Sequence, residues 1–284
     1  MPHKVCSSCG KSNGCRTMVC ECGHNFFGGT ETKSVVEVKK NPFSIHERFK
    51  FIEQLVGMVA TGQQCSAIIT GKGGLGKSYT VIKALKDRGL LNVSGTETAC
   101  SEYDTYRIVK GYSTPKGLYR TLFDNQNNII VFDDTDAVLD HDVSLNILKA
   151  ALDSYSQRII NWNADLKGDD LPREFEFNGR IIFISNRSHH SIDQAIRSRS
   201  MMVDLTMTNE EMIERMGYIA EQKSFMPEID LEVKQDSVDF LSNHLDEVKD
   251  ISLRTLISVI KIRNNGGDWE KFAKYIISTM PCAA

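Results

Sequence analysis

The sequence Gly71-Lys72-Gly73-Gly74-Leu75-Gly76-Lys77-Ser78 matches the phosphate-binding loop pattern G-x-x-x-x-G-K-[ST] at every fixed position. An apolar run at residues 67–70 precedes it and is typical of a buried strand, while residues 79–87 continue it with helix-forming types. Glycines let backbone N–H groups turn toward a phosphate, and the dipole of the following helix adds positive potential. We therefore predict that the chain binds a nucleoside triphosphate; the alternative is a chance glycine-rich turn.

Side-chain chemistry assigns separate roles within this stretch. Lys77 is predicted to reach the β- and γ-phosphates, and Ser78 to offer its hydroxyl to Mg²⁺. The remaining positions contribute the backbone that surrounds the phosphates and the start of the helix. The predicted nucleotide-binding residues here are Gly71, Gly73, Gly74, Leu75, Gly76, Lys77, Ser78 and Tyr79.

The composition is that of an ordinary globular protein. The 284 residues can form one large or two modest domains, with 41% hydrophobic and 25% charged residues. No apolar run approaches the roughly 20 residues that span a bilayer, and residues 1–6 contain no apolar signal core. We expect a cytoplasmic location and no membrane partner.

The charge distribution gives little support for general binding to nucleic acid. Residues 1–40 hold six Lys/Arg and three Asp/Glu, a charge of +3, which leaves −6 for the rest of a chain whose net charge is −3. Only the N-terminal segment could therefore contact a phosphate backbone electrostatically, and +3 is a weak signal.

The N-terminal segment is rich in cysteine, with five of the eight cysteines between residues 6 and 22. Two pairs about ten residues apart, each followed by glycine, are typical of a tetrahedral structural zinc site. Four thiolates leave no open coordination position, so such a site would serve folding and recognition. The predicted zinc ligands are Cys6, Cys9, Cys20 and Cys22.

Two features of this segment leave alternatives open. The second pair has a shortened C-x-C spacing, so Cys15 or His24 could replace one ligand. A disulfide framework would need a secreted protein, which nothing in the sequence indicates. The segment resembles small zinc ribbons, including the Phe26-Phe27 pair that would pack beneath the metal.

A second acidic motif follows another apolar run. Residues 129–132 are apolar and deliver Asp133 and Asp134 at the end of a predicted strand. Asp133 is placed to hold the hydration shell of Mg²⁺. Asp134 stands where a glutamate usually polarises the attacking water, and it is one methylene shorter. The alternative is that Asp134 and Asp136 cap the next helix.

Alternating apolar and helical segments predict an α/β fold. Residues 106–109, 158–162, 180–184 and 201–205 read as further strands, separated by helices that include one from Pro115 and one at about 144–156. Such alternation favours a parallel sheet covered on both faces. Residues 164–172 are expected to form a polar loop.

The order of these motifs resembles the AAA+ family over residues 41–265. The resemblance rests on the phosphate loop, Phe132-Asp133-Asp134, Ile184-Ser185-Asn186 and Ala195-Ile196-Arg197-Ser198-Arg199-Ser200. It implies that Asn186 is the sensor that helps position the lytic water. It also implies an arginine finger, with Arg199 preferred over Arg197, that acts on the γ-phosphate of a neighbouring subunit.

The same resemblance implies the domain organisation. The region after residue 206 is similar to the helical lid of the family, with Arg254 as the second sensor arginine. The expected fold class is an α/β AAA+ parallel-sheet domain with a C-terminal helical lid, preceded by a Cys₄ zinc ribbon. The predicted segments are 1–29 (zinc ribbon), 30–40 (linker), 41–206 (nucleotide-binding domain) and 207–284 (lid and last helix).

The resemblance implies a ring, expected to be a hexamer, with ATP, Mg²⁺ and Zn²⁺ as cofactors. ATP hydrolysis would remodel or translocate a macromolecular substrate, either protein or nucleic acid such as DNA, with Tyr112 as a candidate pore residue. Helicase- or clamp-loader-like activity and an ATP-binding switch with little turnover are the alternatives. The sequences of the individual motifs also resemble those of AAA+ proteins of tailed bacteriophages. Such an origin would place the protein in the host cytoplasm.

Overall fold

A computed structural model describes residues 3–5, 12–14, 41–95, 105–155, 157–163 and 170–279. The chain divides into two compact units, Met1–Asn41 and Pro42–Ala284. In the first unit, strands β1 (His3–Val5) and β2 (Ser12–Gly14) pair antiparallel. The predicted linker and all predicted zinc ligands and their alternatives lie outside the described residues: Cys6, Cys9, Cys15, Cys20, Cys22 and His24.

The second unit alternates helices and strands and ends in four helices. Two 3₁₀ turns, Asp136–Leu139 and His189–Ser191, lie between these elements. In chain order the elements are α1 (Ile45–Ala60), β3 (Ser66–Thr70), α2 (Lys77–Lys86), β4 (Leu91–Asn92), β5 (Thr105–Lys110), α3 (Pro115–Asp124), β6 (Ile129–Asp133), α4 (Asp142–Ala151), β7 (Ile159–Asn161), β8 (Glu174–Glu176), β9 (Arg180–Ile184), α5 (Gln194–Arg197), β10 (Met201–Asp204), α6 (Asn209–Ala220), α7 (Leu231–Asn243), α8 (Leu253–Asn265) and α9 (Trp269–Thr279).

Six strands form one parallel sheet in the order β10-β3-β9-β6-β5-β4. The predicted parallel α/β architecture is therefore confirmed. The strand before the glycine-rich loop, β3, lies inside the sheet between β10 and β9. Strand β6, which ends in Asp133, pairs with β9 on its other side. All three strands consequently end at the same edge of the sheet.

Alternate residues of the sheet enter two separate cores, as a doubly covered sheet requires. In β6, Ile129 and Val131 join the core formed with α1, α2 and the C-terminal helices. Ile130 and Phe132 join the core formed with α3 and α4. Phe132 stacks on Phe183 of β9 with ring centroids 5.6 Å apart. Both faces of the sheet are thus anchored by apolar packing.

Two helix starts illustrate how local sequence positions the elements. Ser44 caps α1 in a reciprocal capping box with Glu47. Thr114 caps α3, its side chain accepting from the Gly117 backbone N–H, with Pro115 at the first helical position. The predicted helix start at Thr114-Pro115 is confirmed.

The strand predicted at 158–162 forms, but outside the main sheet. Strand β7 pairs antiparallel with β8 in a separate two-stranded ribbon between α4 and β9. Ile160 and Phe175 face the α3–α4 core, while their neighbours are exposed. One buried residue in each short strand suffices to hold the ribbon against the helices, and the prediction missed β8.

The four C-terminal helices pack on one face of the sheet. Apolar residues of α6–α9, including Met216, Leu241, Ile260 and Ile277, belong to the same core as β3 and β6. Between residues 207 and 279 the regular elements are thus helices, and the predicted lid with its boundary at residue 206 stays a prediction. Among the described residues, no helix is both long and apolar enough to cross a bilayer.

Candidate functional site

The glycine-rich loop (residues 71–76) connects β3 to α2 at the carboxyl edge of the sheet. Asp133 ends β6 at this edge, and Asn186 follows β9 two residues after its end. In open parallel sheets, ligands bind outside the carboxyl ends of the strands. The strand order thus brings together residues that are more than 100 positions apart in the chain.

Positive φ angles shape the glycine-rich loop. Gly74 has φ +74° and Gly76 has φ +87°, conformations that side-chain-bearing residues rarely adopt. A Cβ on Gly74 would lie 2.9 Å from the Cβ of Ser252, so glycine is required there for close packing as well. Gly76 is the N-cap of α2 and brings no capping side chain. The first N–H groups of α2 are therefore left for another acceptor, such as an anion.

Lys77 is folded back into the loop and is only 5% exposed. Its Nζ donates to the carbonyl oxygens of Gly71 and Lys72, each at 2.6 Å, and to Oδ1 of Asn186 at 2.8 Å. Burial lowers the pKa of Lys77 to about 8, although the carboxylates of Asp134 and Asp133 act in the opposite direction. The amine is therefore mostly protonated at pH 7 and loses its proton as the pH rises past about 8.

Asp133 is 3% exposed, and both of its carboxylate oxygens are engaged. Ser78 Oγ donates to Oδ1 at 2.6 Å, and Lys110 Nζ lies 2.9 Å from Oδ2. Lys110 is the last residue of β5 and pairs in register with Asp133. The predicted Mg²⁺ residues Ser78 and Asp133 are thus in direct contact, with an ammonium group beside them.

Asp134 lies at the mouth of the cleft with φ +55°, one of two non-glycine residues with positive φ among the described positions. Its Oδ1 accepts from Asn186 Nδ2 at 2.8 Å. Asn186 therefore joins Lys77 to Asp134 through opposite ends of one amide. Displacement of water by surrounding protein raises the pKa of Asp134, and the charge of Asp133 raises it further.

The start of α8 forms the opposite wall of this cleft. The Leu253 backbone N–H donates to the Gly74 carbonyl at 2.9 Å. Arg254 follows, exposed, with its guanidinium near Gly73. The cleft has a volume of about 230 Å³ and is lined by the loop, Lys77, Ser78, Tyr79, Asp134, Asn186 and Arg254. Most predicted site residues therefore meet in one place.

A second cavity of about 360 Å³ adjoins the cleft, and sequence reasoning missed it. The two share Leu75, Gly76, Tyr79, Leu253 and Ile257. Its outer wall comes from α1, α6 and the segment after α6, with apolar side chains that no short motif marks. Its wall includes Tyr218, Ile219, Phe225 and Met226.

Arg197 and Arg199 do not reach this cleft within one chain. They precede β10, and β10 runs parallel to β3 with Met201 opposite Ala67 and Asp204 opposite Thr70. The two arginines therefore lie at the amino edge of the sheet, about 13 Å of strand away from the loop. Arg199 Nη1 donates to the Ala195 carbonyl at 3.1 Å, and the Nε of each arginine is buried without a hydrogen bond.

Tyr112 is 79% exposed in the loop after β5. Gly111, beside it, has φ +86° and turns the chain away from the strand. The preceding residue is Lys110, the ion-pair partner of Asp133. Parallel neighbouring strands place their carboxyl ends together, so the Lys110–Asp133 pair follows from topology although sequence reasoning missed it.

Comparison with known proteins finds a relative in a bacteriophage. No family model matches the chain. The chain is 30% identical over 250 residues to a protein of Enterobacteria phage T4 described as the uncharacterized 36.7 kDa protein in the nrdC–mobD intergenic region. The match covers 81% of this chain and 73% of the relative. The phage origin agrees with the phage resemblance of the local motifs.

Proposed function

We propose that this chain, which belongs to the family of the uncharacterized 36.7 kDa phage T4 protein, is a P-loop ATPase of the AAA+ type. The observation that carries the proposal is the convergence of Lys77, Ser78, Asp134 and Asn186 at one cleft, with Asp133 hydrogen-bonded to Ser78. This set supplies a phosphate cradle, hydroxyl and carboxylate groups for a divalent cation, and a carboxylate–amide pair for a water molecule.

Each residue then has a separate task in hydrolysis. Backbone N–H groups of the loop and the start of α2 bind the phosphates, and Lys77 neutralises their charge. Asp134 accepts the proton of the attacking water, a task that its raised pKa suits. Asn186 orients Asp134 through their 2.8 Å hydrogen bond. Arg254 contacts the phosphates from the α8 side of the cleft.

Mg²⁺ fits the oxygen ligands of Ser78 and Asp133, which already lie 2.6 Å apart. When bound, the ion would neutralise charge on the phosphate oxygens. Lys110 offers a cation to Asp133 from the other side.

The adjoining 360 Å³ cavity suits the base of the nucleotide. It continues from the phosphate cleft past Tyr79, which lines both and is 63% exposed. Its wall is mainly apolar, as a flat heteroaromatic ring requires. A nucleoside triphosphate can therefore lie across α2 with its phosphates in the loop and its base against α6.

The placement of Arg197 and Arg199 supports a shared site between subunits. Because both lie at the amino edge of the sheet, Arg199 can serve a phosphate only in another copy of the chain. We therefore propose a ring, expected to be a hexamer, in which Arg199 stabilises the transition state of its neighbour. The exposed Tyr112 is the proposed contact to a protein or nucleic-acid substrate.

Steady-state ATP hydrolysis tests the proposal, with and without single-stranded DNA. We expect Mg²⁺-dependent turnover that Lys77→Ala abolishes, with Lys86→Ala as a control because Lys86 is exposed on the same helix and lines neither cavity. DNA stimulation that weakens with salt would identify nucleic acid as the substrate. Tight ATP binding without turnover would reduce the proposal to an ATP-binding switch, and absence of ATP binding would refute it.

A further inference from the structure

Arg215 carries a positive charge into the wall of the 360 Å³ cavity. Glu53 lines the same cavity and favours that charge, but it does not form an ion pair with Arg215. Its guanidinium carbon lies 3.7 Å from the ring centroid of Phe49 and 5.1 Å from that of Tyr218. Its Nε is buried and lacks a hydrogen bond, and within the described part of the chain the side chain forms no salt bridge. Burial lowers the pKa of Arg215, so keeping the guanidinium charged at this position reduces the folding stability of the protein.

Other cations nearby have carboxylate partners. Arg48 on α1 donates to the Thr206 carbonyl and to Glu211, both at 2.6 Å. Lys83, which lines the same cavity, forms an ion pair with Asp87 at 2.7 Å. Arg215 is different because, among the described residues, its guanidinium forms no ion pair and no hydrogen bond, although Glu53 lines the same cavity. A ligand with a hydrogen-bond acceptor at this position would supply the partner that the Arg215 guanidinium lacks.

The shape and chemistry of the cavity define that ligand. Leu75, Ile219, Phe225 and Met226 provide apolar walls, and Arg215 provides donors only. The ligand must therefore have a flat apolar body and a hydrogen-bond acceptor on its edge. The imidazole edge of a purine offers N7, the acceptor that arginine commonly contacts in guanine and that adenine also has. Pyrimidines lack this atom.

We propose that Arg215 is a specificity-determining residue that donates a hydrogen bond to N7 of a purine nucleoside triphosphate. This inference rests on the proposed function, since it assumes that the triphosphate occupies the neighbouring glycine-rich loop. The contact with the Phe49 ring packs the guanidinium against the wall of the cavity.

The test compares ATP with 7-deaza-ATP, in which a C–H replaces N7. Equilibrium dissociation constants would be measured for the full chain with Mg²⁺. In the wild type we expect 7-deaza-ATP to bind roughly tenfold more weakly, as loss of a charge-assisted hydrogen bond predicts. In Arg215→Met the two nucleotides should bind equally. Lys83→Met removes a different cation from the same cavity and should preserve the tenfold difference.

The ratio of the two affinities within one variant is insensitive to a loss of folded protein, so a destabilised Arg215→Met remains informative. Equal binding of both nucleotides to the wild type would overturn this inference and leave the ATPase proposal standing. A difference that persists in Arg215→Met would also overturn it. If the wild type binds neither nucleotide, the proposed function itself fails.

Discussion

Lys77 combines a binding role with an environment that makes its charge sensitive to pH. Its pKa of about 8 predicts that nucleotide affinity is constant near pH 7 and falls by up to roughly tenfold per pH unit above 8, because only the protonated amine attracts phosphate. Folding stability responds with the opposite sign. The unfolded chain binds more protons between pH 8 and the ordinary lysine pKa, so stability rises with pH there.

Nucleotide titrations between pH 7 and 9.5 measure the effect. Lys77→Arg is the matched control, because arginine stays protonated throughout this range. We expect it to bind more weakly at pH 7 but with little pH dependence. An equal decline in both proteins would assign the pH dependence to another group.

Asp134 gives a second prediction at the scale of single residues. Asp134→Asn should reduce turnover by roughly 10²- to 10⁴-fold, because the amide cannot accept the proton of water. Nucleotide affinity should change little. Asparagine tolerates the left-handed backbone at φ +55°, so the variant should fold normally. Single-turnover hydrolysis and binding assays separate the two effects.

Asp134→Glu serves as the control for this prediction. It keeps the carboxylate and extends its reach, so turnover should persist at a cost in stability from the unfavourable backbone conformation. Wild-type hydrolysis by Asp134→Asn would exclude Asp134 as the general base.

At the scale of elements, one backbone hydrogen bond connects α8 to the glycine-rich loop. The donor is the Leu253 N–H, so only proline can remove it, and Leu253 is the first residue of α8, where proline is tolerated. We expect Leu253→Pro to increase amide hydrogen exchange of the loop roughly five- to tenfold, corresponding to about 1 kcal/mol. Hydrogen–deuterium exchange with mass spectrometry measures this change.

Leu253→Ala is the matched variant because it shortens the side chain and keeps the N–H. The leucine side chain itself packs on Gly76, where an added Cβ would lie 3.2 Å from it. If both variants exchange equally fast, side-chain packing rather than the hydrogen bond connects α8 to the loop.

The long apolar strands and capped helices were predictable because their signals are local. Strands β6 and β9 each contain four consecutive apolar residues, and Thr114-Pro115 marks the start of α3. The ribbon was only half predictable. Strand β8 reads Glu-Phe-Glu, and its single buried residue, Phe175, has meaning only against the α3–α4 core.

The candidate site shows the same limit. Sequence motifs predicted Lys77, Asp134 and Asn186 individually. The contact of the Asn186 amide with both other side chains depends on the spatial order of β3, β9 and β6, which the motifs do not give. The shape of the 360 Å³ cavity that Arg215 lines depends on how α6 packs beside α2. No sequence period distinguishes an arginine in such a wall from one in solvent.

At the scale of the whole molecule, the position of Arg199 makes a prediction about assembly. Lys77→Ala and Arg199→Ala should each be nearly inactive, because an arginine finger contributes about 10³- to 10⁵-fold in related phosphoryl transfers. Mixing the two variants should restore part of the turnover, since an Arg199 from one subunit can complete the intact loop of another. ATPase assays across mixing ratios measure this recovery.

Arg197→Ala mixed in the same way identifies which arginine acts. If mixing with Lys77→Ala restores turnover to Arg199→Ala but not to Arg197→Ala, the result would support Arg199 as the arginine finger. Failure of every mixture to recover activity would contradict a site shared between subunits.

The N-terminal unit makes a separate prediction. A Cys₄ site should retain about one zinc ion per purified chain, and Cys20→Ser should lower that content, because thiolate ligands determine affinity. Elemental analysis by mass spectrometry measures it. Cys15→Ser and His24→Ala are the controls for the alternative ligands. Full zinc content in Cys20→Ser together with loss in a control would reassign the site.

The two cores that β6 serves have a consequence for how the chain can vary. Ile129 and Val131 face one core, and Ile130 and Phe132 face the other. The same alternation determines the side of the sheet to which the Asp133 side chain points. Exchanging one apolar residue for another leaves that direction intact. Deleting any single residue would interchange the two faces and turn the acid away from Ser78. For this strand, the number of residues constrains the site more tightly than their identity does.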